Sequence, residues 1–110
     1  MEISLLQYKR VAVITVTGRI DSATASELES TIQSVIDKGH KQLILDLAAV
    51  DFLSSSGLRV MVTTLKNLRK VGGELCVAQP SERVASSLSI AGLDTLFHSF
   101  ESREAAIASF

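Results

Sequence analysis

The chain has 110 residues, 46% of them apolar and 21% charged, with a net charge of −1. This is ordinary for one globular domain with one hydrophobic core, and the dispersed basic residues and few aromatic ones argue against a nucleic-acid-binding protein. No apolar run approaches the roughly 20 residues that span a bilayer, and the N-terminus lacks a secretory pattern, so we expect a cytoplasmic protein without membrane attachment. The lone cysteine, Cys76, allows no disulfide within the chain and is expected in the core.

The first third of the chain predicts two strands and a helix. Ile3 to Tyr8 and Val11 to Thr17 are β-rich runs, and Gly18 is expected to end the second. A helix should begin at Thr24, which with Glu27 has the spacing of a capping box. Its inward face is predicted to hold Ala25, Leu28, Ile32, Val35 and Ile36.

The middle of the chain predicts a buried strand and a second helix. Leu43 to Leu45 form an unbroken apolar run, and Asp46 is expected to accept hydrogen bonds from amides of a turn at Ala48 to Val50. A helix follows a run of three serines and ends at Gly72. Its predicted inward residues are Leu58, Met61, Val62, Leu65 and Leu68.

The last third of the chain continues the alternation of strands and helices. Glu74 to Ala78 predicts a strand, Ser81 to Ala91 a helix, Thr95 to Phe100 a short strand and Ser102 to Phe110 a terminal helix. The inward residues of the helix are predicted to be Val84, Leu88 and Ala91. Alternating strands and helices require crossover connections, so we expect an α/β fold with a mixed sheet of four or five strands and about four helices in a single domain spanning residues 1–110.

The serine run is the most informative segment for function. One of Ser54, Ser55 and Ser56 suffices to cap the helix, and Gly57 in the first turn is expected to leave the helix end open to an approaching group. An open helix N-terminus favours anions through its free amides and the helix dipole, so a phosphate on one of these serines would be well accommodated. The alternative is that the serines form only a cap and a turn.

The segments "GRIDSATASELES", "LILDLAAVDFLSSSGLRVM" and "GGELCVAQPSERVASSLSIAGL" together resemble the anti-sigma factor antagonists, whose fold is the STAS domain. The resemblance covers nearly the whole chain. It implies a bacterial protein that binds an anti-sigma factor, which is itself a serine kinase and phosphorylates the antagonist. Magnesium and ATP then belong to the kinase, and a separate phosphatase removes the phosphate.

The resemblance places the phosphoacceptor at Ser55, with Ser54 and Ser56 as alternatives. The family commonly has Asp where this chain has Ser54, and Gly where it has Arg59, so the chain is closer to the branch that reads Ser-Ser-Ala-Gly-Leu-Arg. Asp21 matches the family's acidic residue before the first helix, although it could also merely cap the turn. The partner-binding residues implied are Asp21, Ser54, Ser56, Gly57, Leu58 and Arg59.

An enzyme is the main competing class. His40 and His98 could suggest nucleophilic catalysis with a serine, but no Gly-x-Ser-x-Gly elbow is present and neither histidine is near the serines in sequence. No phosphate-binding glycine loop and no clustered metal ligands are present either, so no cofactor is expected. The favoured hypothesis is an antagonist switched by phosphorylation of Ser55, and the alternative is a constitutive STAS scaffold or subunit of a transport or signalling assembly.

Overall fold

One five-stranded sheet organises the chain, and the computed structural model describes all of its residues, 1–110. The elements in chain order are β1 Glu2–Tyr8, β2 Val11–Ile20, α1 Ser22–Asp37, β3 Gln42–Leu53, α2 Ser55–Lys70, β4 Glu74–Ala78, α3 Glu82–Ile90, β5 Ser99–Phe100 and α4 Arg103–Ala108. The spatial order of the strands follows their order in the chain, with β1 antiparallel to β2 and the remaining neighbours parallel. The predicted α/β fold with a mixed sheet and four helices is confirmed.

The two faces of the sheet are covered unequally. Helices α1, α2 and α3 pack on one face and form a cluster of 22 buried residues with alternate side chains of the strands. The short helix α4 covers part of the other face, where a cluster of 6 buried residues includes Cys76 and Ala106. Cys76 is buried, which confirms its predicted core position. This burial raises the pKa of its thiol to about 11.

Strand β2 does not end at Gly18, as the sequence suggested, but continues to Ile20. Gly18 adopts a positive φ of 100°, and the register between β2 and β3 shifts at the next residue, Arg19. A glycine within a strand can mark such an irregularity without ending the strand. The continuation places the residues after Gly18 at the carboxyl end of the sheet.

Strand β3 is likewise longer than predicted, because no turn forms at Ala48 to Val50 and the strand runs to Leu53. Beyond Asp46 it pairs with β2 alone, since β4 ends there. The Asp46 carboxylate accepts the predicted hydrogen bond from the Ala48 N–H at 3.2 Å. Together β2 and β3 therefore form a ribbon that projects beyond the rest of the parallel strands.

The helices follow the predicted periodicity with two differences in burial. On α2, Val60 and Thr64 are buried as well, while the predicted inward residues Leu58 and Val62 are half-buried and pack against the core. Ala91, predicted to face inward, is exposed because α3 ends one residue before it. No helix in the chain combines the length and the apolar character that crossing a membrane requires.

Candidate functional site

The carboxyl ends of β2 and β3 bring together the two segments that the sequence singled out. We call residues 18–21 the GRID segment and residues 54–56 the serine segment. Ile20 pairs with Leu53 in the sheet, and the Ser54 N–H donates a hydrogen bond of 2.8 Å to the Ile20 carbonyl oxygen. The two segments are therefore fixed side by side, directly before α1 and α2 begin.

The three serines have different environments. Ser54 is the N-cap of α2, and its hydroxyl oxygen accepts the Gly57 N–H at 3.1 Å. Ser55 is the first residue of the helix and is exposed, whereas Ser56 is half-buried. Ser54 thus performs the capping role that an aspartate could perform at this position, and Ser55 is the most exposed of the three serines.

The backbone around Ser55 suits a negative charge. The first N–H groups of a helix have no partner within the helix, and here the Ser54 side chain satisfies the one at Gly57. The N–H groups of Ser55 and Ser56 stay free, at the positive end of a helix of 16 residues. A phosphate on Ser55 would therefore lie next to unpaired amide donors.

Gly57 is buried, which corrects the reason that the sequence suggested for it. A Cβ at this position would lie 2.6 Å from Leu53 Cδ1 and 2.7 Å from Ile20 Cγ2. The glycine allows α2 to pack closely on the ends of β2 and β3, and it does not open the helix end to an approaching partner. Gly57 therefore positions the serine segment without offering a contact surface of its own.

Asp21 is the N-cap of α1, so the prediction that Thr24 caps this helix is wrong. One carboxylate oxygen of Asp21 accepts the N–H groups of Ala23 and Thr24, both at 3.0 Å, and the Thr24 hydroxyl accepts the Asp21 N–H at 2.8 Å. The hydrogen bonds to the carboxylate, first the one from the Thr24 amide and next the one from the Thr24 hydroxyl, hold the pKa of Asp21 below its ordinary value of 3.8. Asp21 is half-exposed and follows Ile20, so it borders the serine segment while serving as a cap.

The outer face of α2 extends the site away from Ser55. Leu58 is half-buried and packs against the main core, while Arg59 is exposed. Residues four apart on a helix are neighbours on its surface, so Arg59 lies one turn from Ser55. The exposed Lys66 lies nearly two turns further along the same helix, which makes this face basic.

Sequence reasoning missed an aromatic contact beside the site. The guanidinium carbon of Arg19 lies 4.3 Å from the centre of the Phe52 ring, a cation–π distance. Both residues stand on the projecting ribbon, where Arg19 pairs with Phe52 in the register. The sequence pointed to only one of the two residues in this contact. Arg19 belongs to the GRID segment, but Phe52 lies beyond the predicted end of its strand.

The two histidines lie away from the serine segment. His40 lies between α1 and the amino end of β3, and His98 precedes β5, which places it level with Cys76 in the middle of the sheet. Strand β3 runs on from there to Leu53 before Ser54 begins the serine segment. No group of three or more His, Cys, Asp or Glu side chains is placed to hold a metal ion. The geometry offers no histidine that could activate a serine of this segment.

Known proteins with similar sequences and structures agree on one family. The STAS domain family model matches residues 2–106. BtrV of Bordetella bronchiseptica, a protein assigned as an anti-sigma factor antagonist, is 34% identical over 110 residues, which are 100% of this chain and 95% of BtrV. The anti-sigma-F factor antagonist RsfB of Mycobacterium tuberculosis is 32% identical over 98 residues, covering 89% of this chain and 80% of RsfB.

A solved structure gives the same result. The crystal structure of an anti-sigma factor antagonist from Mycobacterium paratuberculosis matches the fold with a TM-score of 0.89 and 29% identity, over 98% of this chain and 92% of that one. The chain therefore belongs to the STAS domain family, within which its relatives are anti-sigma factor antagonists, regulatory binding proteins rather than enzymes.

Proposed function

We propose that this protein is a cytoplasmic bacterial anti-sigma factor antagonist that binds a kinase-type anti-sigma factor while Ser55 is unmodified. Binding occupies the anti-sigma factor and frees its sigma factor. The kinase phosphorylates Ser55, the complex dissociates, and a serine phosphatase restores the binding form. The named relatives support the class of partner, and the switch rests on the surroundings of Ser55.

The observation that carries this proposal is the division of roles among the serines. Capping by Ser54 leaves the exposed Ser55 hydroxyl free at the first position of α2. A phosphate there carries a charge of about −1.5 to −2 and can accept hydrogen bonds from the free amides of the first turn. The modification is therefore compatible with the fold, and its effect falls on the surface.

The partner surface that we propose surrounds Ser55. It consists of Asp21 from the GRID segment, Ser54, Ser56, Leu58 and Arg59, with Gly57 holding the helix in place beneath them. Arg19 on Phe52 extends this surface onto the projecting ribbon. A partner that packs here against a neutral serine must desolvate a dianion once the serine is phosphorylated, and a loss of roughly 3 kcal/mol of binding energy is already about 100-fold in affinity.

Binding measurements on charge variants test this proposal. Titration calorimetry with the anti-sigma factor of the same bacterium should show that Ser55→Ala retains the affinity of the unmodified protein and that Ser55→Asp weakens it. Ser86→Asp is the matched control, because Ser86 is an exposed serine of α3 that does not belong to the proposed partner surface. Equal affinities for Ser55→Asp and Ser55→Ala would contradict the switch and favour a constitutive STAS scaffold that docks through the same surface.

A further inference from the structure

The two edges of the sheet are protected to different degrees. At one edge β5 has 2 residues, too few to recruit another strand. At the other edge β1 has 7 residues, and only its inner side is paired, with β2. The outer side of β1 thus presents a row of unpaired backbone donors and acceptors about 20 Å long.

Strand β1 also lacks the features that usually prevent edge pairing. It contains no proline and its pairing with β2 has no bulge, since Glu2 to Tyr8 follow one continuous register. Three of its apolar side chains are exposed: Leu5 by 41%, Leu6 by 50% and Tyr8 by 50%. Long, regular and apolar edges of this kind pair with further strands.

The charges around β1 are self-complementary. Glu2 stands at one end of the strand, while Lys9 and Arg10 follow the other end, and the residues between are uncharged. Antiparallel pairing of two copies of this strand brings each acidic end next to the basic end of the other copy. Parallel pairing would place like charges together, which is unfavourable.

We propose that β1 pairs with β1 of a second copy in antiparallel orientation, joining the two sheets into one continuous sheet of ten strands. Full pairing of seven residues places Leu5 on the twofold axis, opposite the same residue of the second copy. Glu2 then lies opposite Tyr8 of the other copy, next to the turn that carries the Lys9 and Arg10 of that copy. The assembly stops at two copies, because the only free edges of the joined sheet are the two short β5 strands, which cannot recruit a further strand.

This arrangement leaves the serine segments free. A twofold axis perpendicular to the sheet turns the carboxyl ends of the parallel strands in opposite directions, so the two Ser55 residues lie at opposite ends of the dimer. Each dimer would present two independent partner-binding surfaces. A single strand pair buries less area than the roughly 800 Å² per partner of a standard stable interface, so we expect a weak, concentration-dependent dimer.

Sedimentation velocity from micromolar to submillimolar concentration tests the proposal without any partner protein. The unmodified chain should shift from monomer to dimer as concentration rises. Leu5→Lys should weaken the dimer at least about tenfold, because it places two like charges on the axis. Ile90→Lys is the matched control: Ile90 is 86% exposed on α3, outside the interface, and its substitution should leave the dimer unchanged.

Charge reversal tests the orientation. Glu2→Lys should weaken the dimer, and adding Lys9→Glu and Arg10→Glu to it should restore dimerisation. Hydrogen exchange of the unmodified chain gives a second readout that needs no variant, since amides of β1 should become more protected with concentration. A monomer at every concentration, a dimer that tolerates Leu5→Lys, or β1 exchange that is independent of concentration would each overturn the proposal and leave the proposed function of Ser55 untouched.

Discussion

The hydrogen bond from the Ser54 N–H to the Ile20 carbonyl oxygen, 2.8 Å long, ties the start of α2 to the end of β2. It extends the parallel pairing of β2 and β3 by one residue beyond Leu53, up to the cap of the helix. As a result the N-termini of α1 and α2 are placed by the same pair of strands. The surface around Ser55 is therefore composed of two segments that are more than 30 residues apart in the sequence.

The cap of α2 can be tested by removing its hydroxyl. Ser54→Ala should lower the free energy of unfolding by about 1 kcal/mol, because the Gly57 N–H loses its acceptor. Ser54→Asp should keep the stability of the unmodified protein, since aspartate caps a helix as well as serine does. Urea denaturation measures both. Ser55→Ala serves as control with a change within about 0.5 kcal/mol, and an equally large loss there would contradict the assignment of the cap.

The close packing at Gly57 predicts that replacing this helical glycine by alanine lowers the stability of the protein. Alanine raises helix propensity by up to about 1 kcal/mol over glycine, but its Cβ would meet Ile20 and Leu53 at under 3 Å. We expect Gly57→Ala to destabilise the protein by about 1–3 kcal/mol through overpacking. Ser56→Ala, one residue earlier and half-exposed, should be nearly neutral in the same denaturation series. A stabilised Gly57→Ala variant would show that α2 does not pack as described.

The lowered pKa of Asp21 predicts that the stability of the protein depends on pH in the acid range. A carboxylate with a depressed folded pKa contributes stability that is fully present above its unfolded value of 3.8 and is lost as the pH falls through the folded pKa. Asp21→Asn retains a capping oxygen but no charge. The stability difference between the unmodified protein and this variant should be constant near neutral pH and shrink once the pH falls below about 4. If the stability difference between the two proteins stayed constant down to the pH of acid unfolding, the charge of Asp21 would not contribute to stability.

A partly buried ion pair connects α4 to the sheet. The Arg103 guanidinium donates hydrogen bonds to the Asp46 carboxylate on β3 and to the Thr15 hydroxyl on β2. Asp46 also accepts a hydrogen bond from the Gln79 side chain at 3.2 Å. The arginine therefore links the short terminal helix to the two central strands.

Replacing Arg103 should destabilise the protein. We expect Arg103→Met to destabilise the protein by about 2–3 kcal/mol, less than the roughly 3–5 kcal/mol of a fully buried pair, because the Arg103 side chain is 34% exposed. Labelling of Cys76 by a thiol reagent should also become faster, since α4 covers this residue. Adding Asp46→Asn to Arg103→Met should recover part of the loss. Arg83→Met, on the exposed part of α3, should change neither readout.

The periodicity of the chain was sufficient to predict the fold. Apolar spacing gave each element its type, because one face of each helix and both faces of the central strands are buried. It misplaced the ends of β2 and β3, since Gly18 and the Ala48–Val50 stretch resemble stops in the sequence. Both stretches stay within their strands because the neighbouring strand supplies hydrogen bonds that local propensity does not reveal.

The sequence indicated the segments of the candidate site but not the structural role of each residue within them. The segment around Ser55 could be found from its serines, but which of the three caps α2 depends on where β3 ends. Asp21 and Thr24 shared this ambiguity, because two capping-box spacings overlap three residues apart. The packing of Gly57 and the ion pair of Arg103 with Asp46 could not be predicted, since each joins residues that only the folded chain brings together.

Phosphate mapping tests the central claim most directly. The protein should be incubated with the anti-sigma factor kinase of the same bacterium, magnesium and ATP, and then analysed by intact mass and peptide sequencing. We expect one added phosphate, located on Ser55, that is absent from Ser55→Ala and present in Ser54→Ala and Ser56→Ala. The absence of any phosphate, or a phosphate that persists in Ser55→Ala, would contradict the account.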